Sequence, residues 1–224
     1  MPIVAQRALL QESNMPDPLL PAPGISLLEA LNRQSFLAIN ATAQTPAWLI
    51  EIARFAATVP LYLLPLALLA LWCRGDQRLR SQLLRALGVA VLALALSLLI
   101  GLLWPHPRPF AIGLGHAWLA HAANASFPSD HLTLFAACAL SLLFDDVWLP
   151  GALIGAVGLA VGYARVCLGI HYPLDMLGAL AVAAVSNSLV WLLWQRHGSV
   201  LTARAETLYR RALAPAISRG WLRH

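Results

Sequence analysis

The sequence contains no lysine, and all 15 of its basic residues are arginine. Charge of either sign is scarce. Charged residues make up 11% of the 224, where a soluble domain carries about a quarter. That deficit points away from a water-soluble fold. Cysteine is limited to Cys73, Cys138 and Cys167, without zinc-type spacing. Two of the three fall inside apolar runs, and all three read as small buried residues. The arginines form no aromatic-interleaved groove, so no nucleic-acid partner is expected. The opening residues show no signal-peptide pattern, so the first span is expected to direct insertion itself.

What is abundant is hydrophobic length. Hydrophobic residues make up 59% of the chain, and several runs approach or exceed the roughly 20 residues needed to cross a bilayer. Residues 1–24 are rich in proline and read as a tail. Residues 25–44 carry Leu27, Leu28, Leu31, Phe36 and Ile39, with Glu29, Asn32 and Arg33 between them. That pattern suits an amphipathic helix lying in the membrane interface, or a sixth membrane helix. Spans are expected at 46–72, 84–104, 131–148, 150–170 and 174–195. The fold class is therefore all-α, a polytopic membrane helix bundle of about five spans. The transmembrane domain covers 45–196, and a cytoplasmic basic tail covers 197–224. Arginine is dense in the 73–85 loop and in the tail. The positive-inside rule puts both in the cytoplasm, so the 105–128 loop and the turn at 171–174 face outward. Trp104, Trp118, Trp191 and Trp194 suit an interfacial aromatic belt.

Three segments on that outer side place polar groups where apolar ones are expected. They are His-Pro-Arg-Pro-Phe at 106–110, Phe-Pro-Ser-Asp-His at 127–131, and the stretch from Arg165 through His171 to Asp175. Ionisable groups near membrane depth are costly and mark function. The guanidiniums of Arg108 and Arg165 suit bidentate binding of a phosphate. His131 and His171 suit the roles of nucleophile and general acid. Asp175, four residues after His171, could accept from one ring nitrogen and leave the other free. Ser129 opens the third span, where free backbone N–H groups favour an anion. This set supplies a phosphate pocket without a metal or other cofactor. Glu51 and Arg54 read as an ion pair near the same outer face. His116 and His121 read as exposed loop residues rather than zinc ligands.

The three segments resemble the signature of the type 2 phosphatidic acid phosphatase superfamily: Lys-x6-Arg-Pro, Pro-Ser-Gly-His and Ser-Arg-x5-His-x3-Asp. Arg108 and Pro109 match the end of the first block. Pro128, Ser129 and His131 match the second, with Asp130 in place of glycine. Arg165, His171 and Asp175 match the third, with Ala164 in place of serine. The family lysine would fall at Gly101. These departures resemble the bacitracin-resistance undecaprenyl-diphosphatase branch.

The resemblance implies a multi-pass enzyme of the bacterial cytoplasmic (inner) membrane with its site facing the periplasm or cell exterior. Its partner would be a polyprenyl diphosphate lipid, and the product would return to cell-wall synthesis as undecaprenyl phosphate. His171 would attack phosphorus, Asp175 would orient it, and His131 would protonate the leaving group. Arg108, Arg165 and Ser129 would hold the phosphoryl oxygens. Asp130 would contact substrate or cap its helix, and His106 is the candidate substitute for the lysine. The alternatives are a phosphatase or phosphotransferase acting on phosphatidylglycerophosphate, phosphatidate or lipid A phosphate, and a non-catalytic membrane scaffold or transporter.

Overall fold

A computed structural model describes residues 26–215. The tail expected over 1–24 and the last part of the basic tail, 216–224, lie outside the described residues. Six α-helices and one short 3-10 turn account for the regular structure of the described residues, which contain no strand. We number the helices α1 (Leu27–Ile39), α2 (Ala47–Arg74), α3 (Gln77–Leu103), α4 (Asp130–Phe144), α5 (Trp148–Cys167) and α6 (Pro173–Ala212), with the 3-10 turn at Pro109–Ile112 between α3 and α4. α2, α3, α5 and α6 are long and apolar enough to cross a membrane. α4 is apolar but has only 15 residues, a rise of about 22 Å against a hydrocarbon core of about 30 Å. α4 packs against α3, α5 and α6, and α2 packs mainly on α5.

Close packing around α4 depends on small side chains, as helix association in lipid generally does. Ala86, Ala90 and Ala93 of α3, Ala136, Ala137 and Ala139 of α4, and Ala183 of α6 are all buried in one cluster. Gly158 of α5 lies so close to α4 that a Cβ there would come within 2.5 Å of Phe135 Cβ.

The helix ends fall into two groups. The 40–46, 104–129 and 168–172 connections meet at one end of the bundle, joined by Ala41 N–H donating to Cys167 O at 2.9 Å and Trp118 N–H donating to Leu168 O at 3.0 Å. The turns at 75–76 and 145–147 lie at the opposite end, where the Gln82 amide donates to Asp145 O at 2.7 Å. α1 sits at the first end. Asn32 and Phe36 face the bundle, while Leu27, Leu28, Leu31 and Leu37 are exposed. Its 13 residues rise about 20 Å, too little to cross. Ser26 caps it by accepting from Glu29 N–H at 3.2 Å.

Two helices are longer than the hydropathy pattern suggests. α3 begins at Gln77 rather than near 84, because Asp76 caps it by accepting from Leu79 N–H at 2.8 Å. α6 runs to Ala212 instead of ending near 195. Its 40 residues rise about 60 Å, and the added part runs alongside the start of α3. Thr202 bonds Ser81 at 3.1 Å, and Glu206 lies 3.6 Å from Arg80, whose guanidinium also covers the Tyr209 ring. Arg85 pairs with Asp145 at 3.0 Å and donates to Ser141 O at 2.7 Å. Arg80 and Arg85 are thus fully buried, and neither acts as a free topology charge. Arg85→Ala is expected to destabilise the protein by about 3 kcal/mol, because Asp145 loses its buried partner. Thermal unfolding in detergent measures this, and an unshifted transition would refute it.

Candidate active site

Arg108, just ahead of the 3-10 turn, ties three loop segments together. Its Nε donates to Asn124 Oδ1 at 3.0 Å, Nη2 to Ala125 O at 3.1 Å, and Nη1 to Ile170 O at 3.0 Å. Nη1 also lies 3.0 Å from His171 Nε2. Burial lowers the Arg108 pKa from its ordinary value, and Asp175 and Asp130 oppose that shift.

His171 occupies the turn between α5 and α6, made tight by Gly169 at φ +81°. A Cβ at Gly169 would run into the His116 carbonyl. His171 Nδ1 lies 3.1 Å from Asp175 Oδ2. Because Asp175 is the third residue of α6, its carboxylate also folds back on the start of the helix and accepts from Tyr172 N–H at 2.8 Å. The Ser126 hydroxyl donates to the same oxygen. Three donors therefore hold Asp175, whose side chain is buried.

The partners fix the imidazole's tautomer. A carboxylate can only accept, so Nδ1 carries the proton; a guanidinium can only donate, so Nε2 presents its lone pair. Burial holds the His171 pKa down at about 4, against the opposing pull of Asp175. The ring is then neutral near pH 7, with its Nε2 lone pair accepting from Arg108.

Arg165 comes from the last turn of α5 and is buried. Its Nη2 lies 3.1 Å from His121 Nε2, and its Nε has no hydrogen-bond partner among the described residues. Ser129 forms the N-cap of α4 without using its side chain; its Oγ is buried and likewise unpartnered among the described residues. Buried polar groups are normally satisfied, and unpaired donors of this kind, together with a helix N-terminus, are able to receive an anion. His131, one residue into α4, lies within electrostatic range of Arg165, His171, His121 and Arg108.

Asp130 is the first residue of α4, so the cap position itself belongs to Ser129. Its Oδ1 accepts from Ser97 Oγ of α3 at 2.7 Å, and its charge acts on both arginines. His106 turns to α1: its Nε2 is 3.5 Å from Glu29 Oε2, and its ring packs edge-on to Tyr172 at 5.3 Å. A cavity of about 650 Å³ there is lined by Asp175 together with Glu29, His106 and Leu177. Glu51 and Arg54 pair at 2.7 Å, and Arg54 also holds the 104–129 loop by donating to Trp118 O at 2.8 Å. Trp118 itself donates to Ala41 O at 2.8 Å.

Two site neighbours were not singled out as functional in the sequence. One is Ser126, three residues before Ser129 in the second block. The other is His121, expected as an exposed loop residue but half-buried against Arg165, with its ring 6.5 Å from that of His171.

The PAP2 superfamily model matches residues 82–199, the stretch that holds Arg108, Ser129, His131, Arg165, His171 and Asp175. YbjG of Escherichia coli (strain K12) is 36% identical over 198 residues, covering 88% of this chain and 100% of that protein. The undecaprenyl-diphosphatase BcrC of Bacillus subtilis (strain 168) is 35% identical over 159 residues, covering 71% of this chain and 82% of its own. The crystal structure of Aquifex aeolicus LpxE shares the fold, with a TM-score of 0.58 at 20% identity over 77% of this chain and 99% of the other. A family match over more than half the chain, and relatives aligned over most of their length, establish that this all-helical membrane protein belongs to the PAP2 superfamily, in the branch of those undecaprenyl-diphosphatase relatives.

Proposed function

We propose that the protein is an undecaprenyl-diphosphate phosphatase that works through a phosphohistidine. The observation that carries the mechanism is the placement of the His171 ring, with Nδ1 3.1 Å from Asp175 Oδ2 and Nε2 3.0 Å from Arg108 Nη1. The Nε2 lone pair attacks the terminal phosphorus, and the bond to the bridging oxygen breaks. His131 gives its proton to the departing undecaprenyl phosphate. Water then attacks the phosphohistidine with His131 as base, inorganic phosphate leaves, and His171 returns to its starting form. Asp175 stabilises the positive charge that develops on the ring. Arg165 Nε and Ser129 Oγ, both without partners among the described residues, hold the phosphoryl oxygens. Arg108 shifts its Nη1 from His171 to the incoming phosphate. Positioning and charge stabilisation of this kind carry most of phosphoryl-transfer catalysis.

The substrate assignment rests on the name of the Bacillus subtilis relative and on a site lying among helices that cross lipid, where a polyprenyl chain can stay in the bilayer. The site end is assigned to the outside of the cytoplasmic membrane. Exposed Arg74, Arg78, Arg204, Arg210 and Arg211 all lie toward the opposite end, as the positive-inside rule requires of a cytoplasmic face.

The test is phosphate release by detergent-purified protein from polyprenyl diphosphates, phosphatidylglycerophosphate and phosphatidate, each with and without excess chelator. Polyprenyl diphosphates are expected to be hydrolysed fastest, at a rate the chelator does not change. Preference for the glycerophospholipids would overturn the substrate assignment, and loss of activity in chelator would overturn a metal-free site.

A further inference from the structure

His121 reaches Arg165 from the loop between the first two sequence blocks, and both of its ring nitrogens have assigned partners. Nδ1 lies 3.0 Å from Ala122 O, and Nε2 lies 3.1 Å from Arg165 Nη2. A carbonyl only accepts and a guanidinium only donates. The ring must therefore be neutral, with its proton on Nδ1 and its Nε2 lone pair turned to Arg165. A protonated ring would set N–H against N–H.

We infer that His121 is a positioning residue for Arg165, a neutral acceptor that aims the guanidinium at the substrate's phosphate without cancelling its charge. This rests on the phosphatase reading above and adds a residue to it. Three observations carry it. His121 is the one hydrogen-bond partner of the Arg165 side chain among the described residues, while Arg165 Nε stays buried and unpaired. A carboxylate in the same place would compete with the phosphate for the cation; an imidazole does not. The chain also has no lysine, and Arg108 already donates to Asn124, Ala125 and Ile170. The aim of Arg165 thus governs much of the remaining positive charge.

The loop supports this role along its length. Within six residues it brings His121 to Arg165, Asn124 and Ala125 to Arg108, and Ser126 to Asp175. The charged and titratable groups facing His121 are Arg165 of α5, Arg108 of the loop, His131 and Asp130 of α4, and His171 of the α5–α6 turn. Burial, reinforced by the two arginines, lowers the His121 pKa, in keeping with a ring that stays neutral.

The test compares His121→Ala with His121→Gln, whose side-chain oxygen can still accept. Two readouts are taken on full-length purified protein: kcat/KM for polyprenyl diphosphate, and orthovanadate affinity from its thermal shift. His121→Ala is expected to weaken both by about tenfold, the order for one hydrogen bond to a charged group. His121→Gln is expected to stay within about threefold of wild type. In an Arg165→Ala background, His121→Ala should add less than about twofold, since coupled residues are not additive. Wild-type behaviour of His121→Ala would overturn the role, as would an unchanged penalty without Arg165 or failure of glutamine to rescue. Vanadate binding without polyprenyl-diphosphate hydrolysis by the wild type would instead sink the substrate assignment and leave this role standing.

Discussion

His171→Ala is expected to lower phosphate release by about four orders of magnitude or more, the scale seen when a nucleophile is removed from a catalytic unit. The reason lies in how the ring is held. Asp175 on Nδ1 fixes the tautomer, and the Nε2 lone pair lies 3.0 Å from a guanidinium placed to receive the phosphoryl group. Of the site's imidazoles, His171 is the one with a buried carboxylate on Nδ1. His121 meets a backbone carbonyl there instead, Ala122 O. The variant should still fold, because Asp175 keeps Ser126 and Tyr172 N–H as donors. Phosphate release and thermal unfolding of the same preparation separate lost chemistry from lost structure. The wild-type pH profile follows from the same geometry. Burial holds His171 down at about 4, so the free base persists across neutral pH. Its contribution to activity falls only as pH drops through the shifted value, well below the ordinary histidine range.

Asp175→Asn is expected to cost about 10³- to 10⁴-fold in kcat, with little change in KM, as loss of the orienting carboxylate does in serine-protease triads. Asparagine removes the negative charge that stabilises the imidazolium character of the attacked ring. It can also turn its amide N–H toward Nδ1, which would move the proton to Nε2 and block the nucleophile. Ser126→Ala tests the same oxygen more gently. It removes one of three donors and should cost far less. A KM rise with unchanged kcat in Asp175→Asn would assign the carboxylate to binding and contradict the triad reading.

Much of this arrangement is legible in the sequence because it follows local spacing. His171 and Asp175 meet because Asp175 follows four positions after His171 at a helix start, and Pro173 fixes where that helix begins. Arg108, Ser129 and Arg165 reach the same end because alternating spans carry them there. What local spacing cannot show is which loop residue meets which arginine. His106 and His121 both lie in the 104–129 connection, and spacing alone lets either face the phosphate pocket. The fold gives His106 to Glu29 and Tyr172, and His121 to Arg165.

Hydropathy also misplaces two helix ends for a physical reason. Arg80 and Arg85 look like loop charges, yet each meets a carboxylate far along the chain, Glu206 and Asp145. Once paired, they stand inside helices and carry α3 and α6 past the limits set by apolar residues alone.

The most direct test of the central claim is to trap the phosphoenzyme. Purified protein is mixed with polyprenyl diphosphate labelled in its terminal phosphate, quenched in denaturant within the first turnover, and digested for mapping. Acid-labile, alkali-stable phosphate is expected on the peptide carrying His171 and absent from His171→Ala. Label on Ser129 or any other residue, or steady phosphate release by His171→Ala at the wild-type rate, would contradict it.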